Sequence, residues 1–170
     1  MRNFDLQVFE YINGLALKYP LWDKVVIYAN EYGLYVFAGI VAILFFVNRR
    51  AFWGAAISSI LARGIITEII RYAYKRPRPF VNDQLENVRQ LVVKSVINDS
   101  FPSGHAAFYF AIAFAVYFQN RKAGAVLIIL AVILGTTRIY TGIHYPSDIL
   151  GGALIGFASA WVAGKLLFRR

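Results

Sequence analysis

Apolar residues run along this chain in long blocks, with short charged stretches between them. A helix that crosses a bilayer needs roughly 20 apolar residues, within a range of about 17–25. Five stretches predict such helices once charged ends are allowed to snorkel: 24–47, 51–74, 103–118, 123–141 and 147–168. Charge interrupts two of them, with Glu31 early in the first and Arg63, Glu68 and Arg71 inside the second. Ahead of them, 4–17 reads as an amphipathic helix lying at the membrane interface. Phe4, Val8, Tyr11, Ile12 and Leu15 share one face, and Asp5 and Glu10 stay off it. That segment has neither the cationic start nor the long apolar run of a signal peptide. The outer loop 75–102 carries Leu85, Val88, Leu91, Val92 and Val96 among charges, which predicts an amphipathic, partly helical cover near any site on that side. The expected fold is an all-α integral membrane helical bundle, a single domain over 1–170.

Composition supports this. Of the 170 residues 59% are hydrophobic and only 16% charged, whereas a soluble domain carries about a quarter charged residues. Disorder, a disulfide scaffold and an ordinary soluble enzyme are excluded. The absence of Cys removes thiolate metal sites and redox motifs. The net charge of +9 does not point to nucleic acid, because the basic residues gather in small clusters between apolar runs rather than along one polar face. Arg49, Arg50, Arg121, Lys122, Lys165, Arg169 and Arg170 fall on one side of the five-span layout without an acidic residue among them. That side is expected to be cytoplasmic, with the N-terminus outside. Trp22, Trp53, Tyr72 and Tyr74 sit near span ends, at the aromatic belts. Gly152, Gly156, Ala160 and Gly164 in the last span, and Ala107, Ala111 and Ala115 in the third, recur every fourth residue as packing stripes.

Three polar clusters are left, and the number of crossings between them brings all three to the outer face: 71–79, 101–105 and 137–148. Arg71, Arg78 and Arg138 are fixed cations at or near membrane depth, where ionisable residues are functional candidates, and guanidinium forks match oxyanions. Ser103 and Gly104 open a helix, whose free N–H groups favour an anion. The ligand these groups suit is a phosphate. His144 stands in a loop with Asp148 four residues on, just inside the next helix after a plausible N-cap at Ser147. That carboxylate can fix one imidazole nitrogen and leave the other free to attack phosphorus. His105, one turn into the third span, can protonate a leaving oxygen. Each histidine alone reads as an interfacial or packing residue, and an Arg-Pro pair alone as a helix stop; the conjunction carries the argument. Zinc on two His and an Asp is disfavoured by three neighbouring arginines. Glu68 and Arg71, three apart, are expected to pair, and Glu31 either supports the arginines or lies at the interface.

These residues resemble the type 2 phosphatidic acid phosphatase family of membrane lipid phosphatases, whose site is shared with vanadium haloperoxidases. The family's motifs are Lys-x6-Arg-Pro, Pro-Ser-Gly-His and Ser-Arg-x5-His-x3-Asp. Here Arg78-Pro79 ends the first, Pro102-Ser103-Gly104-His105 is the second in full, and Arg138, His144 and Asp148 keep the spacing of the third. Arg71 stands at the family's Lys and Thr137 at its Ser; pairing Arg76 with Pro77 instead would put Ile69 at the Lys position. The resemblance implies His144 as nucleophile oriented by Asp148, and His105 as proton donor. Phosphate would be bound by Arg71, Arg78, Ser103, Gly104 and Arg138. It implies a metal-independent hydrolase without cofactor in a bacterial inner membrane, its site facing the periplasm or exterior. The implied substrates are membrane phospholipid or polyprenyl diphosphate headgroups: undecaprenyl diphosphate, lipid A 1-phosphate or phosphatidylglycerophosphate. The alternative is a lipid or anion transporter that keeps the same phosphate site, against which the absence of inverted repeats speaks; a vanadate-dependent haloperoxidase is a third reading. No oligomeric state is legible.

Overall fold

A computed structural model of the protein describes residues 4–85, 87–94 and 99–167. Val96 of the expected loop cover, Phe168 at the end of the last expected span, and the tail residues Arg169 and Arg170 lie outside the described residues. The described residues form helices and connecting loops: α1 (Phe4–Asn13), α2 (Pro20–Val47), α3 (Arg49–Ser59), α4 (Thr67–Ala73), α5 (Gly104–Tyr117), α6 (Arg121–Tyr140) and α7 (Pro146–Leu167). A π-helical stretch, Ile60–Ile66, fuses α3 and α4 into one rod, and a 3-10 turn covers Pro79–Val81.

Among the described residues, four rods are long and apolar enough to cross a membrane: Pro20–Val47, Arg49–Ala73, Arg121–Tyr140 and Pro146–Leu167. The expected third crossing, α5, has 14 residues and so rises about 21 Å, against a hydrocarbon core of about 30 Å. It is the central helix, with ten residues from Gly104 to Val116 buried. It packs most extensively on α7, then on α6 and α3. The α5–α7 approach needs glycine. A Cβ at Gly152 would lie 2.7 Å from the Ser103 carbonyl oxygen, and one at Gly156 would lie 2.6 Å from the Ala111 nitrogen. Gly164, on the same expected stripe, has nothing within 4 Å of such a Cβ among the described residues and takes no part in that contact.

The N-terminal helix departs from expectation. It ends at Asn13 and buries Leu6, Phe9 and Asn13, with Ala16 buried in the turn that follows. Phe4, Tyr11 and Leu15, from the expected apolar face, are exposed. The segment is apolar on two sides, and only the bundle decides which one packs: Phe9 meets Tyr145 with ring centroids 5.7 Å apart. Asn13 then pins loop to bundle. Its Nδ2 donates to the carbonyls of Arg89 and Tyr140, at 2.9 and 2.8 Å, and its Oδ1 accepts from the Arg89 N–H at 2.9 Å. The loop over this face is mostly irregular; Leu85 is buried in the core and Val88 packs against it.

Candidate active site

Chain reversal between α6 and α7 builds the first half of the site. Pro146 opens α7, a position where its missing N–H costs nothing. Asp148, two residues on, reaches back to accept the Tyr145 N–H at 2.8 Å. Tyr145, not Ser147, is therefore the capping position, and Ser147 sits inside the first turn because proline already holds the start. The same carboxylate oxygen, Oδ2, accepts from the Ser100 hydroxyl at 2.6 Å and lies 3.3 Å from His144 Nδ1. The other, Oδ1, accepts from Arg76 Nη1 at 2.6 Å. Asp148 is fully buried and His144 only 3% exposed. With Nδ1–H directed to an ionised carboxylate, Nε2 carries the lone pair; it sits 3.3 Å from Arg78 Nη1. Burial pushes His144 down to about 4, with Asp148 pulling the other way and Arg78 and Arg138 adding to the fall.

The second half is the mouth of α5. Ser103 caps the helix, its Oγ accepting from the Ala106 N–H, and its own N–H bonds the Asp148 carbonyl at 3.0 Å. Arg71 donates through Nε and Nη2 to the Pro102 carbonyl, at 3.2 and 3.0 Å. Its expected partner Glu68 lies 3.4 Å from Nη1 but is mostly exposed. Arg78 donates to the Ile143 carbonyl at 2.8 Å; burial lowers its pKa, and repulsion from Arg71 follows. Arg138 differs from these. It is 2% exposed, and its Nε and Nη2 have no hydrogen-bond partner among the described residues. A buried guanidinium with orphaned N–H groups is costly unless an anion completes it.

A cavity of about 360 Å³ opens beside His105 and Arg138, lined also by Ile27, Asn30, Glu31, Leu91, Val92 and Lys94. His105 and His144 are near enough for their charges to interact. The structure thus gathers Arg71, Arg78, Ser103, Gly104, His105, Arg138, His144 and Asp148 into one neighbourhood, with Glu31 exposed on the cavity rim. Among the described residues no cluster of three His, Asp or Glu is arranged to hold a metal.

Four residues escaped the sequence reading. Arg63, from the π-helical stretch, brings Nη1 to 3.0 Å from where a Gly104 Cβ would stand, beside Arg71 Nη2 at 3.4 Å; glycine there leaves both guanidinium groups their close approach to the α5 mouth. An ionisable residue inside a span was the signal for it. Lys94 was hidden in a loop without periodicity. Arg76 spans Asp148, the Ser147 hydroxyl and Asp5 Oδ2, each at 2.6 Å. It lies 4.1 Å over the Tyr145 ring. Burial opposes its charge, yet Asp148 and Asp5 hold its pKa above the ordinary value. Asp5 also accepts the Ser147 N–H at 2.9 Å, which ties α1 to the site.

Comparison with known proteins adds an independent line. The sequence pattern of the PAP2 superfamily matches residues 51–170. A Bacillus subtilis (strain 168) protein named undecaprenyl-diphosphatase BcrC is 34% identical over 167 residues, covering 96% of this chain and 82% of the relative. A Bacillus licheniformis relative named bacitracin transport permease protein BcrC is 31% identical over 172 residues, covering 96% of this chain and 83% of its own. The crystal structure of Aquifex aeolicus LpxE superposes with a TM-score of 0.83 at 28% identity, over 96% of each chain.

Proposed function

We propose that this chain, which belongs to the PAP2 superfamily, is a membrane lipid phosphatase that works through a phosphohistidine on His144. One observation carries the reading: a buried imidazole tied to a buried carboxylate at 3.3 Å, among guanidinium groups of which Arg138 has unsatisfied N–H donors. Neutral His144 offers Nε2 to phosphorus while Asp148 stabilises the imidazolium that forms. His105 gives a proton to the departing oxygen, then takes one from the water that cleaves the N–P bond. Arg71, Arg78 and Arg138, with Ser103 and the Gly104 N–H, hold the phosphoryl oxygens. These fixed cations do the electrostatic work for which other phosphoryl-transfer enzymes use magnesium, so the reaction is metal-independent.

The substrate class is a phosphomonoester or diphosphate headgroup on a membrane lipid, such as undecaprenyl diphosphate, lipid A 1-phosphate or phosphatidylglycerophosphate. The name of the Bacillus subtilis relative supports a polyprenyl diphosphate. The single domain sits in a bacterial inner membrane with the site facing the periplasm or exterior, a reading that rests on the charge bias of the loops. In purified protein, phosphate release should persist in EDTA, and labelled substrate should leave an acid-labile, alkali-stable phosphoprotein that His144→Ala does not form. Full activity of that variant, or strict dependence on added metal, refutes the mechanism. The name of the Bacillus licheniformis relative favours a second reading, transport through the same phosphate site. Proteoliposomes that move intact lipid without releasing phosphate would establish it instead.

A further inference from the structure

We propose that the cavity beside His105 is a second-phosphate subsite, in which Lys94, Asn30 and Arg138 hold the lipid-side phosphate of a lipid diphosphate while His144 takes the terminal phosphoryl group. The inference rests on the phosphatase reading above and adds the substrate class and the residues that select it.

Position is the first argument. His105 lines this cavity and His144 does not, so the space lies on the side toward which the leaving group departs. At about 360 Å³ it has room for a phosphate and the first carbons of a chain, for which Ile27 of α2 and Leu91 of the loop supply apolar walls.

Unsatisfied polar atoms are the second. Asn30 is 4% exposed and its Oδ1 has no partner among the described residues; rotation of the amide by half a turn puts its NH2 where that oxygen stands, facing an anion. Arg138 brings two orphaned donors to the same wall. Both side chains line this one cavity, where an oxyanion would meet the Arg138 donors and the Asn30 NH2 once the amide has turned.

Charge is the third. Arg71 and Arg78 flank the phosphoryl group under attack, and Arg138, with its two unpaired donors, bridges it to the lipid-side phosphate. Arg63 and Lys94 add to these, and both stand near enough to His105 for their charges to interact with it. Lys94 is crowded by Arg138, Arg78, Arg63 and Arg71, a gathering of like charges that a second phosphate relieves. Glu31, also on this cavity, is exposed, where water screens it.

The chemistry balances. His144 Nε2 forms a bond to the terminal phosphorus as the bond from that phosphorus to the bridging oxygen breaks. The electron pair stays on the bridging oxygen, which leaves as lipid monophosphate with its charge met by Lys94 and Arg138 and its proton supplied by His105. Water then displaces His144 and releases orthophosphate, giving His105 its proton back.

The test measures kcat/KM of the purified full chain in detergent for a polyprenyl diphosphate and for the monophosphate of the same chain. The wild type should favour the diphosphate. Lys94→Ala should cut that preference roughly 10–100-fold, the worth of one charge-assisted contact, and Lys94→Arg should restore most of it. Asn30→Asp, which puts a negative charge in the subsite, should erode the preference as well. Equal losses on both substrates, no loss on either, or a wild type that prefers the monophosphate would overturn the subsite while leaving the phosphatase standing. A wild type that releases phosphate from neither overturns both.

Discussion

Replacing Arg76 by Met tests whether the Asp148 carboxylate is held from outside the motif residues. The guanidinium donates at 2.6 Å to Asp148 Oδ1, to the Ser147 hydroxyl and to Asp5 Oδ2. Methionine keeps much of the packing on Tyr145 and deletes the charge. Breaking a buried ion pair costs about 3–5 kcal/mol. Arg76 keeps about 20% of its side chain exposed, and Asp148 Oδ2 retains Ser100 and the Tyr145 N–H. The cost is therefore nearer about 2 kcal/mol, or about 4–8 °C in Tm for a chain of this size. The freed carboxylate no longer presents one orientation to His144, so kcat/KM should drop roughly 10–100-fold, equivalent to about 1.4–2.7 kcal/mol. A merely structural role would lower Tm and leave the pH profile in place. A positioning role also moves the acid limb upward, because Asp148 without Arg76 attracts a proton to His144 more strongly. Arg76→Lys should recover part of the rate, and an Asp5→Asn, Arg76→Met double variant should show non-additive losses. Wild-type kcat/KM and Tm in Arg76→Met would refute the reasoning.

Four further outcomes follow from the same geometry. Burial holds His144 down at about 4, so kcat/KM should stay flat through neutral pH and fall only below about pH 5; an acid limb near 6.5 would contradict this. The folded pKa lies below the unfolded value of 6.5, so this group's effect on stability is complete above about 6.5. As pH falls to about 4 the unfolded chain gains the proton first, and up to about 3 kcal/mol is lost, readable as a fall in Tm. Arg138→Met should cost roughly 10²–10³ in kcat and yet raise Tm, because it removes a buried guanidinium with unpaired N–H groups; a destabilised variant would show that the arginine serves the fold. Gly156→Val should lower stability by about 1–3 kcal/mol, since its Cβ meets the α5 backbone at 2.6 Å, whereas Gly164→Val has open space and should leave Tm unchanged.

Much of the candidate site was legible because its residues lie in short local runs. Pro102 to His105 sit at one helix start, and His144 and Asp148 are four apart, so backbone geometry alone fixes their relation. Arg78 next to Pro79 is equally local. Arg76 stands two residues from Arg78 in the same basic run, and no spacing rule distinguishes the arginine that touches His144 from the one that braces Asp148. The π-helical stretch under Arg63 and the 14-residue length of α5 were likewise invisible, since both answer to neighbouring helices.

Sequence alone determined that the chain is a bundle of apolar helices with most of its basic residues clustered between the apolar runs, because a hydrocarbon solvent dictates the length and charge of whatever crosses it. It also determined the two imidazoles and the carboxylate, whose chemistry belongs to residue type and near spacing. Tertiary structure decided the rest: which face of α1 packs, which glycines meet backbone, and which cations surround His105. Those outcomes depend on distances of a few ångströms between segments up to 142 residues apart, as for Asp5 and Ser147. Coulomb and packing energies fall away within that range, and a one-dimensional pattern holds no record of it.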